Sequence, residues 1–246
     1  MDSDQNIGAL QMSEAISPMT AISQPSRTGE FFNCLTTEAL RDFESIETVS
    51  SYPSDSRLFA ERQIPSNIFI PHDGQVKLFA NSSDSKRFIL GIAKPGEVLG
   101  LSSAFTGNPY QMTAETLHSC VVASVRRSDF MDFLLRHPAA YQGVAHELSL
   151  HQEHDCARLR TIGLTQCVSA RLGRLLLEWC GNGQQTAFGA RIHIALTHGE
   201  IAECIGTTRE SVTRVLSDFR RRQIVDVHGA ILTITDRSAL ESCSVM

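Results

Sequence analysis

No stretch of this 246-residue chain approaches the ~18 consecutive apolar residues of a membrane-spanning helix. Its first thirty residues, "MDSDQNIGALQMSEAISPMTAISQPSRTGE", have neither a basic start nor a continuous apolar core. No signal peptide is expected, and the chain reads as cytoplasmic, with no membrane partner. Serine, threonine, glutamine and proline recur there, so residues 1–29 are expected to be disordered. No two cysteines are spaced C-x-x-C. The seven, at 34, 120, 156, 167, 180, 204 and 243, are odd in number and widely separated. That fits neither a disulfide framework nor a spaced zinc or iron–sulfur motif, and reduced, mostly buried thiols are expected. P-loop, G-x-S-x-G, H-E-x-x-H and dinucleotide glycine patterns are also missing, so no enzyme is expected.

Lysine is absent from residue 165 onward. There nine arginines stand against eight acidic residues, about +1, whereas the first 164 residues carry −6. An acidic N-terminal part is thus joined to a C-terminal part that can approach a polyanion. The arginines crowd into "TTRESVTRVLSDFRRRQ" (207–223), where Arg209, Arg214, Arg220, Arg221 and Arg222 face only Glu210 and Asp218.

The pattern along the chain is mixed. "FFNCLTTEALRDFESIETVS" (31–50) reads as a helical pair, with Phe32, Leu35, Leu40, Phe43 and Ile46 near helical spacing. From 57 to 126, short runs such as "NIFI", "QVKLFA", "RFILGIA" and "CVVASV" alternate with turn residues, which predicts a β-sandwich or roll. Asp129 to His137 reads as a short helix stopping before Pro138. Residues 139–162 form one long helical stretch of ~36 Å. In it Tyr141, Val144, Leu148, His151 or Cys156, Leu159 and Ile162 approximate a heptad seam with a polar middle. A bridging helix packed on its own domain and a dimer helix both account for it. "VSARLGRLLLEWC" is an amphipathic helix broken by "GNG" (181–183).

Two capping boxes follow, Thr197-His-Gly-Glu200 and Thr207-Thr-Arg-Glu210. The first helix carries Ile201, Ala202 and Ile205 and ends at Gly206. The second carries Val212, Val215, Leu216 and Phe219. Two short helices joined by a tight glycine turn make a helix-turn-helix. "IVDVHGAILTIT" then reads as strand, His228-Gly229 turn, strand. The outer face of the second helix holds Arg209, Glu210 and Arg214. An arginine fork suits guanine O6 and N7, and a glutamate accepts from cytosine N4. Thr197, Thr207, Thr208, Ser211, Thr213, Ser217, Arg220 and Arg221 are candidate phosphate contacts. A solvated arginine face is the plain alternative.

Residues 196–240 resemble the winged helix-turn-helix of the CRP/FNR family, the cyclic-AMP receptor and fumarate–nitrate regulators. "GTTRESVTRVLSDF" carries the likeness most closely. "GQVKLF", "KPGEVLG" and the run to "SDFMDFLLRHP" resemble that family's cyclic-nucleotide-binding β-roll. The resemblance implies an α+β chain: a β-roll sensor over 30–138, a dimerisation helix over 139–164 and a winged DNA-binding domain over 165–240. It also implies a homodimer on double-stranded DNA, with RNA polymerase as a partner if the protein activates. Arg209, Glu210 and Arg214 would then read a half-site resembling TGTGA.

The effector is less legible. Cyclic-AMP-binding relatives place a glutamate after the cassette glycine and an Arg-Ser pair about ten residues later. Here the candidate pocket residues are Gly100, Leu101, Ser102, Gln111, Met112 and Thr113, with no Arg or Lys between Lys94 and Arg126. A cyclic phosphate buried without a charged partner is costly, so cyclic AMP is not expected. Only Cys34 precedes residue 119, unlike relatives with N-terminal cluster cysteines, so no iron–sulfur cluster is expected. Haem, metal or redox control stays open. Glu147, His151 and His154 share a face of the long helix near Cys156. Two imidazoles and a carboxylate could bind a transition metal, but a solvated face or a polar patch in the seam is the plainer account, and no metal is expected there. Nothing in the sequence around Cys156 or Cys167 marks a depressed thiol.

Overall fold

The computed structural model of the chain describes residues 29–245 except 85, 182, 183, 187, 188 and 195. The N-terminal tail and the helix stop at 181–183 therefore fall wholly or partly outside the described residues.

Two helices open the chain, α1 (Glu30–Asn33) and α2 (Thr37–Ile46). α2 is capped by Thr36, whose hydroxyl accepts from the Ala39 N–H at 3.2 Å. The helical reading of 31–50 runs too far. Glu47–Tyr52 is strand β1, paired with β7 (Cys120–Arg126) from Glu47↔Val125 to Tyr52↔Cys120. Thr48 and Val49 favour the pleat, and the partner strand overrides the helical spacing. The remaining roll strands are β2 (Arg57–Phe59), β3 (Asn67–Asp73), β4 (Val76–Asn81), β5 (Arg87–Ala93) and β6 (Thr113–Thr116). They form two antiparallel sheets, β1-β7-β3 and β2-β6-β4-β5. Gly74 turns β3 into β4 at φ 86°, where a Cβ would lie 2.5 Å from the Cys120 sulfur. Phe59, Phe69, Val76, Tyr110 and Val122 fill one core of the roll. A second core gathers Phe31, Phe32, Phe43, Phe130 and Phe133 around Ile68 and Ile70, and includes residues of α4 (Arg127–Arg136). A short helix, α3 (Leu101–Thr106), interrupts the run of strands.

The long helix is α5 (Ala140–Leu164). Only Ala140, Gly143, Val144 and Glu147 of it are buried, and Leu148 packs on the roll's aromatic core. Leu159 and Leu164 are 70% and 78% exposed. The expected seam therefore divides. Val144 and Leu148 serve their own domain because the first turns of α5 lie across it. Tyr141, Cys156 and Leu159 face outward.

The last third holds α6 (Val168–Gly181), β8 (Gln184–Thr186), β9 (Gly189–His193), α7 (His198–Ile205), α8 (Arg209–Arg221), β10 (Val225–His228), β11 (Ile231–Ile234) and α9 (Arg237–Val245). The strands form one antiparallel sheet in the order β10-β11-β9-β8. The expected hairpin is there, with its turn at Gly229-Ala230, one residue later than read. Leu172, Leu176, Ile201, Val212, Phe219 and Leu232 make the core. The domain does not end at 240. Leu240 and Cys243 of α9 are buried in the same core, since one apolar stripe over two turns suffices to seat a short helix. Phe79 and Ile89 of the roll join that cluster, so the C-terminal unit rests on β4 and β5.

Candidate nucleic-acid interface

α7 and α8 are joined by Gly206, Thr207 and Thr208. Gly206 adopts φ 63°, a left-handed conformation that glycine takes without strain, and the Thr207 N–H donates to the Ala202 carbonyl at 3.0 Å. The capping box of α7 is complete, with Thr197 accepting from the Glu200 N–H and Glu200 accepting from the Thr197 N–H. The second box does not form. α8 is capped one residue later, by Thr208, which accepts from the Ser211 N–H at 3.3 Å. Adjacent threonines make the register ambiguous in sequence. The later cap puts Arg209 and Glu210 in the first turn of α8.

Val212, Leu216 and Phe219 are buried on the inner side of α8. Arg209, Glu210, Thr213, Arg214, Ser217, Arg220 and Arg221 are exposed on its outer side. The three base-reading candidates therefore share the solvent face near the helix start. The Glu210 carboxyl is held below the ordinary carboxylate range by its own backbone N–H and then by the Thr208 hydroxyl. It stays ionised and can only accept, as a cytosine amino group requires. Arg214 forms no ion pair among the described residues. Arg221 pairs with Asp218, which Arg222 also approaches at 3.5 Å.

Several phosphate candidates have their hydroxyl protons engaged inside the chain. Thr197 donates to Glu200 at 3.0 Å, Thr208 to either the Glu210 carboxylate or the Ser211 hydroxyl, 3.2 Å away, Thr213 to the Arg209 carbonyl at 3.0 Å and Ser217 to the Thr213 carbonyl at 2.8 Å. A hydroxyl has one proton to donate, so in this geometry the four act as caps and helix ties. Thr207, Ser211, Arg220 and Arg221 keep donors for phosphate.

Two supports escaped the sequence reading. Arg171 of α6 donates to the carbonyls of Ile205 and Gly206 at 2.7 and 3.1 Å, a cation at the C-terminus of α7. His198 Nδ1 lies 2.9 Å from the Thr213 hydroxyl and ties the start of α7 to α8. Arginine and histidine at such distances in sequence carry no local pattern that would reveal either contact.

A cavity of about 1020 Å³ opens between the roll, α5 and the C-terminal domain. Gly100, Leu101, Ser102, Gln111 and Met112 line it, as read. Thr113 does not. It is buried, and its hydroxyl accepts from the Glu61 N–H at 3.0 Å. Lys94 and Arg158 also line the cavity, so it is less poor in cations than the cassette alone suggests. Arg158 is engaged, donating to the carbonyls of Ile89 and Cys204 at 3.0 Å each. Glu97 faces the same space, its carboxyl pushed up to about 7 by burial and by the neighbouring Glu147.

The Glu147, His151 and His154 set does not converge. Glu147 is buried and accepts from the Val98 N–H at 3.1 Å, His151 lies 3.7 Å from it, and no metal-holding group of three His, Cys, Asp or Glu occurs among the described residues. Glu147 points into the roll to satisfy that backbone donor. Cys167 departs from the sequence reading as well. Its thiol is drawn below the ordinary value by the Ser169 hydroxyl, 2.7 Å away, and by N–H groups at the start of α6. No described helix is long and apolar enough to cross a membrane.

Comparison with known proteins gives the same division. Residues 49–137 match the cyclic nucleotide-binding domain and residues 170–243 the Crp-like helix-turn-helix domain. The chain is 25% identical over 190 residues to the CRP-like cAMP-activated global transcriptional regulator of Mycobacterium tuberculosis, covering 77% of this chain and 84% of the relative. It is 24% identical to the anaerobic regulatory protein of Bacillus subtilis over 75% of this chain and 78% of that one. FixK2 from Bradyrhizobium japonicum shares the fold, with a TM-score of 0.72 at 22% identity over 80% of this chain and 97% of the other. The protein belongs to the CRP/FNR family of DNA-binding transcription regulators.

Proposed function

We propose that the protein acts as a homodimer on a two-fold DNA site resembling TGTGA–N6–TCACA. In this reading Arg209, Glu210 and Arg214 meet base edges, while Thr207, Ser211, Arg220 and Arg221 meet phosphates. The observation that carries it is the exposed trio on one face of α8, backed by an apolar stripe that leaves the helix one way to sit. Half-site centres would lie about one helical turn apart, matching a two-fold protein. The dimer would form along the outward line of α5 through Ala145, Gln152, Cys156, Leu159 and Gly163, which repeats every 3.5 residues and is exposed.

Control falls to an effector other than cyclic AMP, or to abundance alone. Support for this comes from the cassette stretch, which supplies no cation, and from Glu97, a carboxyl on the cavity wall. RNA polymerase would be a further partner if the protein activates. Gel shifts across a salt series test the reading. A duplex bearing the palindrome should be bound at least ~1000-fold more tightly than a scrambled duplex at equal salt. Equal affinity for both, with the same salt slope, would refute base reading and leave only backbone attraction. Calorimetry with cyclic AMP should give no tight binding and no gain in DNA affinity.

A further inference from the structure

Lys77 lies on β4 and is only 2% exposed. A lysine is rarely so buried unless its charge is paired. Here the ammonium lies 3.2 Å from Glu115 and 2.8 Å from Glu200. Glu115 sits directly across the β4–β6 ladder, within the roll. Glu200 belongs to α7, the first helix of the helix-turn-helix, 123 residues further along the chain. Its carboxylate is divided between two tasks. Oε1 meets Lys77, while Oε2 accepts from the Thr197 N–H at 2.9 Å and so completes the cap of α7. The cap of the DNA-binding unit and the sensor roll thus share one carboxylate.

The surroundings point the same way. Arg158 of α5 joins β5 to α7 through the carbonyls of Ile89 and Cys204. Phe79 and Ile89 give the two units an apolar contact. Such a contact is non-directional and tolerates sliding. A buried ion pair does not. Removing two charges from water offsets much of their attraction, and well-packed apolar residues would often hold as firmly. What the pair adds is one permitted alignment of α7 on β4.

We propose that Lys77 is a positioning residue for DNA recognition: through Glu200 it fixes the angle at which α7 and α8 are carried, and so the separation of the two recognition helices in a dimer. This rests on the two-fold reading above. The interdomain pair, not the reading residues, then sets how strictly the protein measures half-site spacing.

Glu200→Gln is the sharpest test, because glutamine also completes a capping box while the charge is lost. Lys77→Met removes the other partner and keeps the apolar stem. Full-length protein is titrated with palindromes carrying N5, N6, N7 or N8 spacers and with a non-specific duplex. Wild type should prefer one spacing strongly. Each variant should lose about tenfold on that site, keep its non-specific affinity within about twofold, and spread its binding over neighbouring spacings. The double variant should be no worse than Lys77→Met alone, since that single already removes the Lys77–Glu200 pair together with Lys77–Glu115. Folded variants that keep the wild-type spacing preference overturn the proposal. A Glu200→Gln chain that no longer folds also counts against it, since the role assigned is orientation and not stability. Wild type that binds one half-site as tightly as any palindrome overturns the two-fold reading itself, and the proposal with it.

Discussion

Replacing Leu159 by Glu separates the two faces of α5. Leu159 is 70% exposed in the single chain, so the substitution removes nothing from the protomer's own core. The fold should keep its wild-type melting behaviour within about 0.5 kcal/mol. In a dimer built along the outward line, two copies of Leu159 leave water together. Burying a leucine side chain contributes about 1.5–3 kcal/mol, so losing both costs about 3–6 kcal/mol before the repulsion of two facing carboxylates is added. That is a fall of roughly 100- to 10,000-fold in the association constant. Leu148→Glu is the informative contrast. Leu148 packs on the roll's aromatic core, so its replacement should lower the melting temperature of the protomer itself. Sedimentation equilibrium across a concentration series, with circular dichroism as the folding control, reads both. A Leu159→Glu protein with the dimer affinity of wild type would refute the outward line as the interface.

Arg214→Ala should weaken the specific site by about 1–3 kcal/mol per half-site and relax discrimination at one guanine, because Arg214 gives up no ion pair with a described residue. Fluorescence anisotropy on single-base variants reads this. Arg221→Ala should weaken all duplexes alike and lower the salt slope by at most about one unit, since Asp218 already offsets part of its charge. Phe219→Ala should destabilise the C-terminal domain by about 3–5 kcal/mol in urea unfolding, as its ring is fully buried. Glu97 supplies a pH dependence. Its folded-state value, raised to about 7 from 4.5, means that the native state holds the proton longer than the unfolded chain. Stability should therefore fall as pH rises between about 4.5 and 7, by at most about 3 kcal/mol from this group. Glu97→Gln should flatten that slope, which urea titrations at a series of pH values would show.

The parts of the fold governed by local pattern were legible. The apolar stripe Val212, Val215, Leu216 and Phe219 and the Gly206 turn are fixed within a few residues of themselves. The exposure of Arg209, Glu210 and Arg214 follows from that stripe, because the side opposite a buried face must be exposed. What the sequence concealed depends on distant partners. β1 is helical in spacing and becomes a strand only because β7 lies beside it. Val144 and Leu148 fit a heptad seam, yet the roll claims them first. Thr197, Thr208, Thr213 and Ser217 read as phosphate candidates, and that each hydroxyl also has an acceptor in its own chain was not visible in the sequence. Arg171, Arg158 and Lys77 reach carbonyls or carboxylates tens of residues away, and no spacing rule announces such contacts. Gly100–Ser102 and Gln111–Met112 were named through family likeness and line the cavity, whereas Arg158, which also lines it, was missed because it comes from α5.

Selection of binding sites from random duplex DNA by the full-length protein tests the central claim most directly. The account predicts recovery of a two-fold motif whose half-sites carry TGTGA-like G·C pairs about one helical turn apart, with one guanine position losing definition when Arg214→Ala is selected in parallel. Recovery of an A·T-only motif, of half-sites without two-fold symmetry, or of the same motif from Arg214→Ala would contradict it.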